Sequence, residues 1–261
     1  MLRFSANLTL LFNEVPFLER FPLAARAGFR SVEFVSPYEH PPARIEELLR
    51  RHQLAVSVFN LPPGDWARGD RGMACDPRRV GEFQESVGRA LEYAGPLGCS
   101  VLHAMAGIRP ADANEDAMRR AYVENLRFAA RELRRRGLRL VIEAINTRDI
   151  PGYFLIQSRQ AFAIIDEVGA DNLFFQYDAY HLQIMEGDLT PTLERHLARI
   201  AHVQIADTPG RHEPGTGEIN YDFLLRHLDR IGYGGWIGCE YRSLTTTQAG
   251  LGWRRRFTEV T

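Results

Sequence analysis

The sequence predicts a single (β/α)8 TIM barrel, one domain covering residues 1–261, and three observations lead to this fold class. Eight short apolar runs with the character of buried strands recur along the chain. Segments with the apolar spacing of amphipathic helices lie between these runs. Strands that alternate with helices form parallel sheets, eight strands close such a sheet into a barrel, and about 250 residues is its usual length.

The predicted strands follow one another at intervals that leave room for a helix. In chain order they cover residues 3–8, 31–35, 55–60, 100–106, 139–146, 173–181, 200–207 and 235–241. Gly28 and Gly169 follow helical patterns, where helix ends favour a left-handed residue. A doubly wound open sheet is the alternative, and it is disfavoured because no predicted strand leads into a GxGxxG or P-loop turn.

The composition limits the classes of function. The chain is 45% hydrophobic and carries 32 basic against 33 acidic residues, a near-neutral balance that argues against nucleic acid or a membrane as the main partner. Every basic residue is arginine, so no lysine amine is present for a Schiff base or for pyridoxal phosphate. Three separated cysteines indicate neither a disulfide framework nor a thiolate zinc site. The N-terminal residues do not have the pattern of a signal peptide, and we expect a cytoplasmic protein.

Polar residues at the strand ends are the candidates for chemistry, because the carboxyl ends of the strands form the active-site mouth of such a barrel. Alternation within the last four strands places four oxygen-bearing side chains on the inner face: Glu143, Asp178, Gln204 and Glu240. Neighbouring carboxylates repel one another unless a cation lies among them, and this ligand set suits Mg²⁺ or Mn²⁺. The alternative for each residue taken alone is a salt bridge with an arginine.

Several longer stretches are similar to one known family. They are FNLPPGDWARGDRG (59–72), IEAINTRDIPGY (142–153), QYDAYH (176–181), HVQIAD (202–207) and RHEPGTGEINY (211–221). With MLRFSANL at the start and TTTQAGLGW near the end, they resemble the hydroxypyruvate isomerase family of the xylose-isomerase-like TIM barrel superfamily. The resemblance implies interconversion of hydroxypyruvate and tartronate semialdehyde (2-hydroxy-3-oxopropanoate), by metal-assisted proton transfer through an enediolate, as part of glyoxylate metabolism.

The resemblance also implies roles for individual residues. Glu143 and Glu240 match the proton-transfer pair, and together with Asp178 and Gln204 they match the metal ligands. Substrate contacts are expected from His181 and Arg211 by similarity, and from three further residues at strand ends: Asn7, Asn60 and His103. Trp66, in a glycine-rich loop, is interpreted as a lid or interface residue. Arg242 stands where related sequences often carry lysine, which keeps the charge and changes the geometry.

Other functions stay open at this point. A 2-oxo-tetronate isomerase or a ketose epimerase of the same superfamily would share the catalytic groups and differ in the pocket. A metal-dependent DNA-repair endonuclease would need many histidines at strand ends and a basic face, so it is disfavoured. A non-catalytic sugar-acid binding protein would need the pocket without the proton-transfer geometry. The sequence fixes neither the choice of metal nor the proton-abstracting glutamate, and a homo-oligomer is compatible with it.

Overall fold

Eight parallel strands close into a barrel in the order of the chain. The computed structural model describes residues 1–112 and 114–258. The strands are β1 (Arg3–Asn7), β2 (Ser31–Phe34), β3 (Ala55–Asn60), β4 (Val101–His103), β5 (Arg139–Glu143), β6 (Leu173–Asp178), β7 (Ile200–Ile205) and β8 (Trp236–Cys239). Because β8 pairs with β1, no open edge remains among these strands. The predicted (β/α)8 barrel is confirmed, and the open sheet is wrong.

Helices surround the barrel. They are α1 (Phe17–Arg26), α2 (Pro42–His52), α3 (Val80–Ala94), α4 (Glu115–Arg134), α5 (Ser158–Val168), α6 (Ala179–Met185), α7 (Leu189–His196), α8 (Tyr221–Arg230) and α9 (Arg255–Thr258). Asn114 caps α4 by accepting a hydrogen bond from the Ala117 N–H, and Asn220 caps α8 in the same way through Phe223. Among the described residues, no helix has the length and apolar character needed to cross a membrane.

The barrel interior is only partly apolar. Val58, Val101 and Val141 form a small cluster there, separate from the main core that contacts the helices. Much of the rest is buried and polar. Ser5 Oγ, for example, lies 3.2 Å from Ser31 Oγ and 2.8 Å from Ser57 Oγ. These serines belong to the three consecutive strands β1, β2 and β3, and hydrogen bonds connect them inside the barrel.

Seven of the eight strands are shorter than predicted, and only β3 has the predicted bounds. The ends of β5 and β6 position the site. β5 ends at Glu143 and β6 ends at Asp178, so residues 144–146 belong to a loop and His181 belongs to α6. Glu240 follows the last residue of β8, and Gln204 is the penultimate residue of β7. All four predicted metal ligands therefore lie at the carboxyl ends of their strands.

Candidate active site

A cavity of about 490 Å³ opens at the carboxyl ends of the strands. This volume is within the range of small-molecule sites. Eight of the nine predicted site residues line it: Asn7, Asn60, His103, Glu143, His181, Gln204, Arg211 and Glu240. Asp178, which is 1% exposed, lies behind this lining. The sequence therefore identified groups that the fold brings together.

Three carboxylates and one imidazole form a cluster at the floor of this cavity. Glu143, Asp178, His181 and Glu240 each offer one ligand atom, and these atoms lie within 4.8 Å of one another. Burial, with the charges of Asp178 and Glu240, raises the pKa of Glu143 well above its ordinary value. Burial also raises the pKa of Asp178, and it raises that of Glu240 to about 8 although Arg211 opposes the shift. The cluster therefore concentrates negative charge that the fold does not fully neutralise.

Two oxygens of the cluster fit the requirement for a bound cation. Glu143 Oε1 and Asp178 Oδ2 are buried and have no hydrogen-bond partner among the described residues. Buried polar atoms are rarely left without a partner in folded proteins. A divalent cation held by Glu143, Asp178 and Glu240 would satisfy both atoms and neutralise the cluster.

Asn146 determines what His181 presents to the cluster. Asn146 Oδ1 accepts hydrogen bonds from the backbone N–H groups of Arg148 and Asp149, at 3.0 and 2.8 Å. Its amide nitrogen is thereby turned toward His181 Nδ1, 2.6 Å away. Burial lowers the pKa of His181, so the ring is neutral, accepts at Nδ1 and carries its proton on Nε2. Nε2 lies 3.5 Å from Asp178 Oδ2, so His181 offers an N–H donor to the site.

Arg211 is engaged with protein carboxylates. Its Nη2 lies 2.8 Å from Glu240 Oε2 and its Nη1 lies 3.3 Å from Asp149 Oδ2. The side chain is only 20% exposed. Its proximity to Glu240 and Asp178 raises the stability of the charged cluster, since an opposite charge offsets part of the burial cost. A contact between Arg211 and a substrate stays a prediction.

Asn7, Asn60 and His103 are buried residues that line the cavity. Asn7 Nδ2 donates to Glu240 Oε1 at 3.1 Å. His103 Nδ1 lies 3.2 Å from Asn60 Oδ1, and burial lowers the pKa of His103 to about 3, so this ring is also neutral. His103 Nε2 is 3.7 Å from Glu143 Oε2 and has no hydrogen-bond partner among the described residues. Whether these groups contact substrate stays a prediction, because their present partners are protein atoms.

Gln204 is oriented by a carboxylate that sequence reasoning missed. Gln204 Nε2 donates to Glu33 Oε1 at 2.7 Å, and Gln204 Oε1 accepts from Gln176 Nε2 at 2.7 Å. Gln176 Nε2 also lies 3.0 Å from Glu143 Oε2, which connects the Gln204 amide to the cluster. Because the Glu33 carboxylate accepts a hydrogen bond from the amide nitrogen of Gln204, the carbonyl oxygen of Gln204 points toward the cluster.

Glu33 is the central residue of the polar layer beneath the cluster. It is fully buried and receives hydrogen bonds from Asn7 at 3.2 Å and from Ser57 at 3.1 Å, while His202 Nε2 lies 2.8 Å from its Oε2. Gly238 makes room for it, because a Cβ at that position would lie 2.3 Å from Glu33 Oε1. The signal for this residue was present in the sequence, as an acid inside the apolar run SVEFV.

Comparisons with known proteins identify the family of the chain. A family model described as the xylose isomerase-like TIM barrel matches residues 21–257. A 2-oxo-tetronate isomerase of Cupriavidus necator is 51% identical over 98% of this chain and 99% of its own length. The hydroxypyruvate isomerase of Escherichia coli is 49% identical over 97% of this chain and 98% of its own.

A solved structure extends the comparison to three dimensions. The structure of a Brucella melitensis protein described as an AP endonuclease, family 2, superposes with a TM-score of 0.96 at 46% identity. The match covers 99% of this chain and 100% of that one. The chain therefore belongs to the xylose isomerase-like TIM barrel family, as a relative over nearly its whole length of enzymes named hydroxypyruvate isomerase and 2-oxo-tetronate isomerase.

Proposed function

We propose that the protein is an isomerase that interconverts hydroxypyruvate and tartronate semialdehyde. The observation that carries this proposal is a pair of glutamates, the buried Glu143 and the partly buried Glu240. They reach one cavity from the ends of β5 and β8, with carboxylate atoms within 4.8 Å of each other. The reaction moves a carbonyl to the adjacent carbon, and its difficult step removes a proton from the carbon beside the carbonyl. Two carboxylates that flank one small substrate are suited to take that proton and return it one carbon along.

The surroundings of the two glutamates suggest different tasks. Both oxygens of Glu240 are held, one by Asn7 and the other by Arg211, at 3.1 and 2.8 Å. Glu143 keeps Oε1 without a hydrogen bond among the described residues. The charge of Arg211 opposes protonation of Glu240 and so weakens it as a base. We therefore assign Glu143 to proton abstraction from hydroxypyruvate and Glu240 to the matching transfer at the neighbouring carbon. General base catalysis of this kind contributes about 10²- to 10⁴-fold in rate.

His181 supplies a donor for the oxygen that gains charge. Its Nε2–H points into the cluster because Asn146 occupies Nδ1. A neutral donor that is already aimed at the site stabilises a developing enediolate oxygen without reorganisation. Mg²⁺ or Mn²⁺ held by Glu143, Asp178, Gln204 and Glu240 would add Lewis acidity toward the substrate oxygens and offset the repulsion among the carboxylates.

The substrate is tested by a direct comparison. Purified protein supplied with Mg²⁺ or Mn²⁺ is assayed on hydroxypyruvate, on 2-oxo-tetronates and on several ketoses, with Glu143→Gln as the matched control. We expect the highest kcat/KM on hydroxypyruvate and loss of turnover in the variant. A higher kcat/KM on a 2-oxo-tetronate would transfer the assignment to that substrate. Binding without turnover of any compound would indicate a sugar-acid binding protein instead.

A 2-oxo-tetronate isomerase is the second candidate, and the relatives favour it as strongly. The relatives of 51% and 49% identity carry the two different names, while the cavity of about 490 Å³ admits a three-carbon or a four-carbon acid. An endonuclease is not favoured by the site, since the cluster within residues 1–112 and 114–258 has three carboxylates and one histidine. Cleavage of DNA containing an abasic site would contradict that view.

A further inference from the structure

Two of the arginines that line the cavity form no ion pair with an acidic residue in the part of the chain that the structure describes. Three arginines line the cavity: Arg71, Arg211 and Arg242. Arg211 already pairs with Glu240 and Asp149. A substrate carboxylate entering beside a cluster of carboxylates needs a cation of its own. The candidates are therefore Arg71 and Arg242.

Arg71 has no acidic partner among the described residues, and its position is fixed by other contacts. Its Nη1 donates to the backbone carbonyls of Trp66 and Asp70, at 3.2 and 2.7 Å. Its guanidinium lies 3.8 Å from the centroid of the Trp66 ring. These contacts use one nitrogen and one face of the guanidinium, so the other nitrogens keep their hydrogens for a ligand.

The loop that carries Arg71 is anchored on both sides of it. Asp70 pairs with Arg79 at 2.8 Å on one side. On the other side Gly72 forms an antiparallel bridge with Ala106, and a Cβ at Gly72 would lie 2.4 Å from the carbonyl oxygen of Met105. Only a glycine fits this close approach, at a φ of 95°. The backbone of Arg71 is therefore held at the rim of the cavity.

The guanidinium of Arg242 is held by fewer contacts than that of Arg71. Its side chain is exposed, and within the described part of the chain no ion pair or ring contact involves it. Ordering a long free side chain on binding costs conformational entropy, whereas a guanidinium that already lies against an aromatic ring loses less. Arg71 is therefore favoured over Arg242 as the partner of a substrate carboxylate.

We propose that Arg71 binds the carboxylate of the substrate, with the exposed ring of Trp66 holding the guanidinium in position. The chemical class of the ligand is a small 2-oxo or 2-hydroxy acid, and this part of the inference rests on the proposed function. Arg71 thereby selects acids over neutral ketoses of similar size. The assignment gives the loop 59–72, which the resemblance singles out, a role in specificity.

The test compares a charged and an uncharged probe. Glycerate has the carbon skeleton of hydroxypyruvate, and glycerol replaces its carboxylate with a hydroxymethyl group. Binding of both to the Mg²⁺-supplemented protein is measured by calorimetry for the unmodified chain, Arg71→Gln, Arg71→Lys and Arg242→Gln. Arg68→Gln is the matched control, because Arg68 lies in the same loop, is exposed and does not line the cavity.

We expect Arg71→Gln to weaken glycerate binding by about 10- to 100-fold, the usual contribution of charge-assisted hydrogen bonds. Arg71→Lys should recover part of the loss, glycerol binding should not change, and Arg68→Gln should bind as the unmodified protein does. In turnover of hydroxypyruvate, KM should rise more than kcat falls. An unchanged melting temperature confirms that the variant is folded.

The inference is overturned if Arg71→Gln binds glycerate as tightly as the unmodified protein, if the loss appears in Arg242→Gln instead, or if the unmodified protein does not bind glycerate. Failure of the proposed function has a different signature. In that case the unmodified protein binds glycerate through Arg71 and does not isomerise hydroxypyruvate.

Discussion

Two buried acidic sites lie one above the other inside this barrel, and the fold treats them differently. The lower site is Glu33, whose carboxylate is surrounded by Asn7, Ser57, His202 and Gln204, all within 3.2 Å. The upper site is the mouth cluster, which we define as Glu143, Asp178 and Glu240. There, one oxygen of Glu143 and one of Asp178 have no hydrogen-bond partner among the described residues.

The two sites differ in how far protein groups satisfy the carboxylate oxygens. Protein hydrogen-bond donors surround the Glu33 carboxylate, whereas the mouth cluster has oxygens without such donors. Burying a charge is tolerated when hydrogen bonds surround it, as at Glu33. Where the surroundings are incomplete, the group binds a proton more readily instead, and the raised pKa of Glu143 is the sign of this. The comparison predicts that changes at the upper site alter activity, whereas changes at the lower site alter stability.

The largest expected effect is that of Glu143→Gln on turnover. The amide keeps the shape of the side chain and removes the proton acceptor, so kcat/KM should fall by about 10²- to 10⁴-fold. The chelated protein should at the same time melt at a higher temperature, because one of three repelling carboxylates is gone. Steady-state kinetics and thermal denaturation check both effects. Full activity in the variant would remove Glu143 from the mechanism.

The next effect is that of Asn146→Asp, which tests whether the mouth cluster needs a donor from His181. A carboxylate at position 146 would accept from Nδ1 and move the imidazole proton away from Nε2, so His181 would present a lone pair to the cluster. We expect kcat to fall about 10- to 100-fold, a smaller loss than that for a missing base, with little change in fold. Proton and nitrogen NMR of the imidazole reports the tautomer. An unchanged tautomer with reduced kcat would contradict this explanation.

Gly238→Ala addresses the lower site. The added Cβ would lie 2.3 Å from Glu33 Oε1, so Glu33 or the β8 backbone must shift. Overpacking of this kind destabilises by about 1 to 3 kcal/mol. Gly88→Ala in α3 is the matched control, because nothing lies within 4 Å of its added Cβ and alanine favours a helix. Chemical denaturation measures the free energy of unfolding of the two variants. Equal stability of the two variants would mean that Glu33 is not tightly held.

The comparison also shows what the sequence could specify. The barrel was predictable because strand and helix periods alternate eight times, whereas the ends of β5 and β6 were predicted three residues late because loop and helix residues there are also apolar. Glu143 and Glu33 carry the same signal, an acid within an apolar strand, and only Glu143 was recognised. The hydrogen-bond partners of both residues come from other strands. Spacing along the chain therefore cannot show whether the oxygens of a buried carboxylate have partners.

Contacts in loops were harder still to predict. Asn146 faces His181 only because two backbone N–H groups hold its oxygen, and that geometry depends on the turn after β5. The pairing of Arg211 with Glu240 joins two loops that are distant along the chain. Residue types at the site were therefore recognisable, while the orientation of each group was not.

The smallest expected effect is a pH dependence that belongs to the mouth cluster alone. The pKa of Glu240 is raised to about 8 and those of Glu143 and Asp178 are also raised. A raised pKa means that the folded protein holds protons that the unfolded chain has released, so the associated stability is lost as the pH rises through the folded value. His181 and His103, whose pKa values are lowered, act in the opposite sense, but above about pH 7 they are neutral in both states.

From about pH 7 to about 8.5 the chelated protein should therefore lose about 1 to 2 kcal/mol of stability, or about 2 to 6 °C in Tm. Saturating Mg²⁺ should flatten this dependence, because the cation keeps the carboxylates ionised and binds only the folded chain. Glu143→Gln should reduce the slope of the chelated protein, since one coupled carboxylate is missing. Tm is measured against pH for the chelated and the Mg²⁺-loaded proteins. If Tm changes with pH equally in the two, the upper site needs a cation no more than the lower site does, and the distinction between the two sites is wrong.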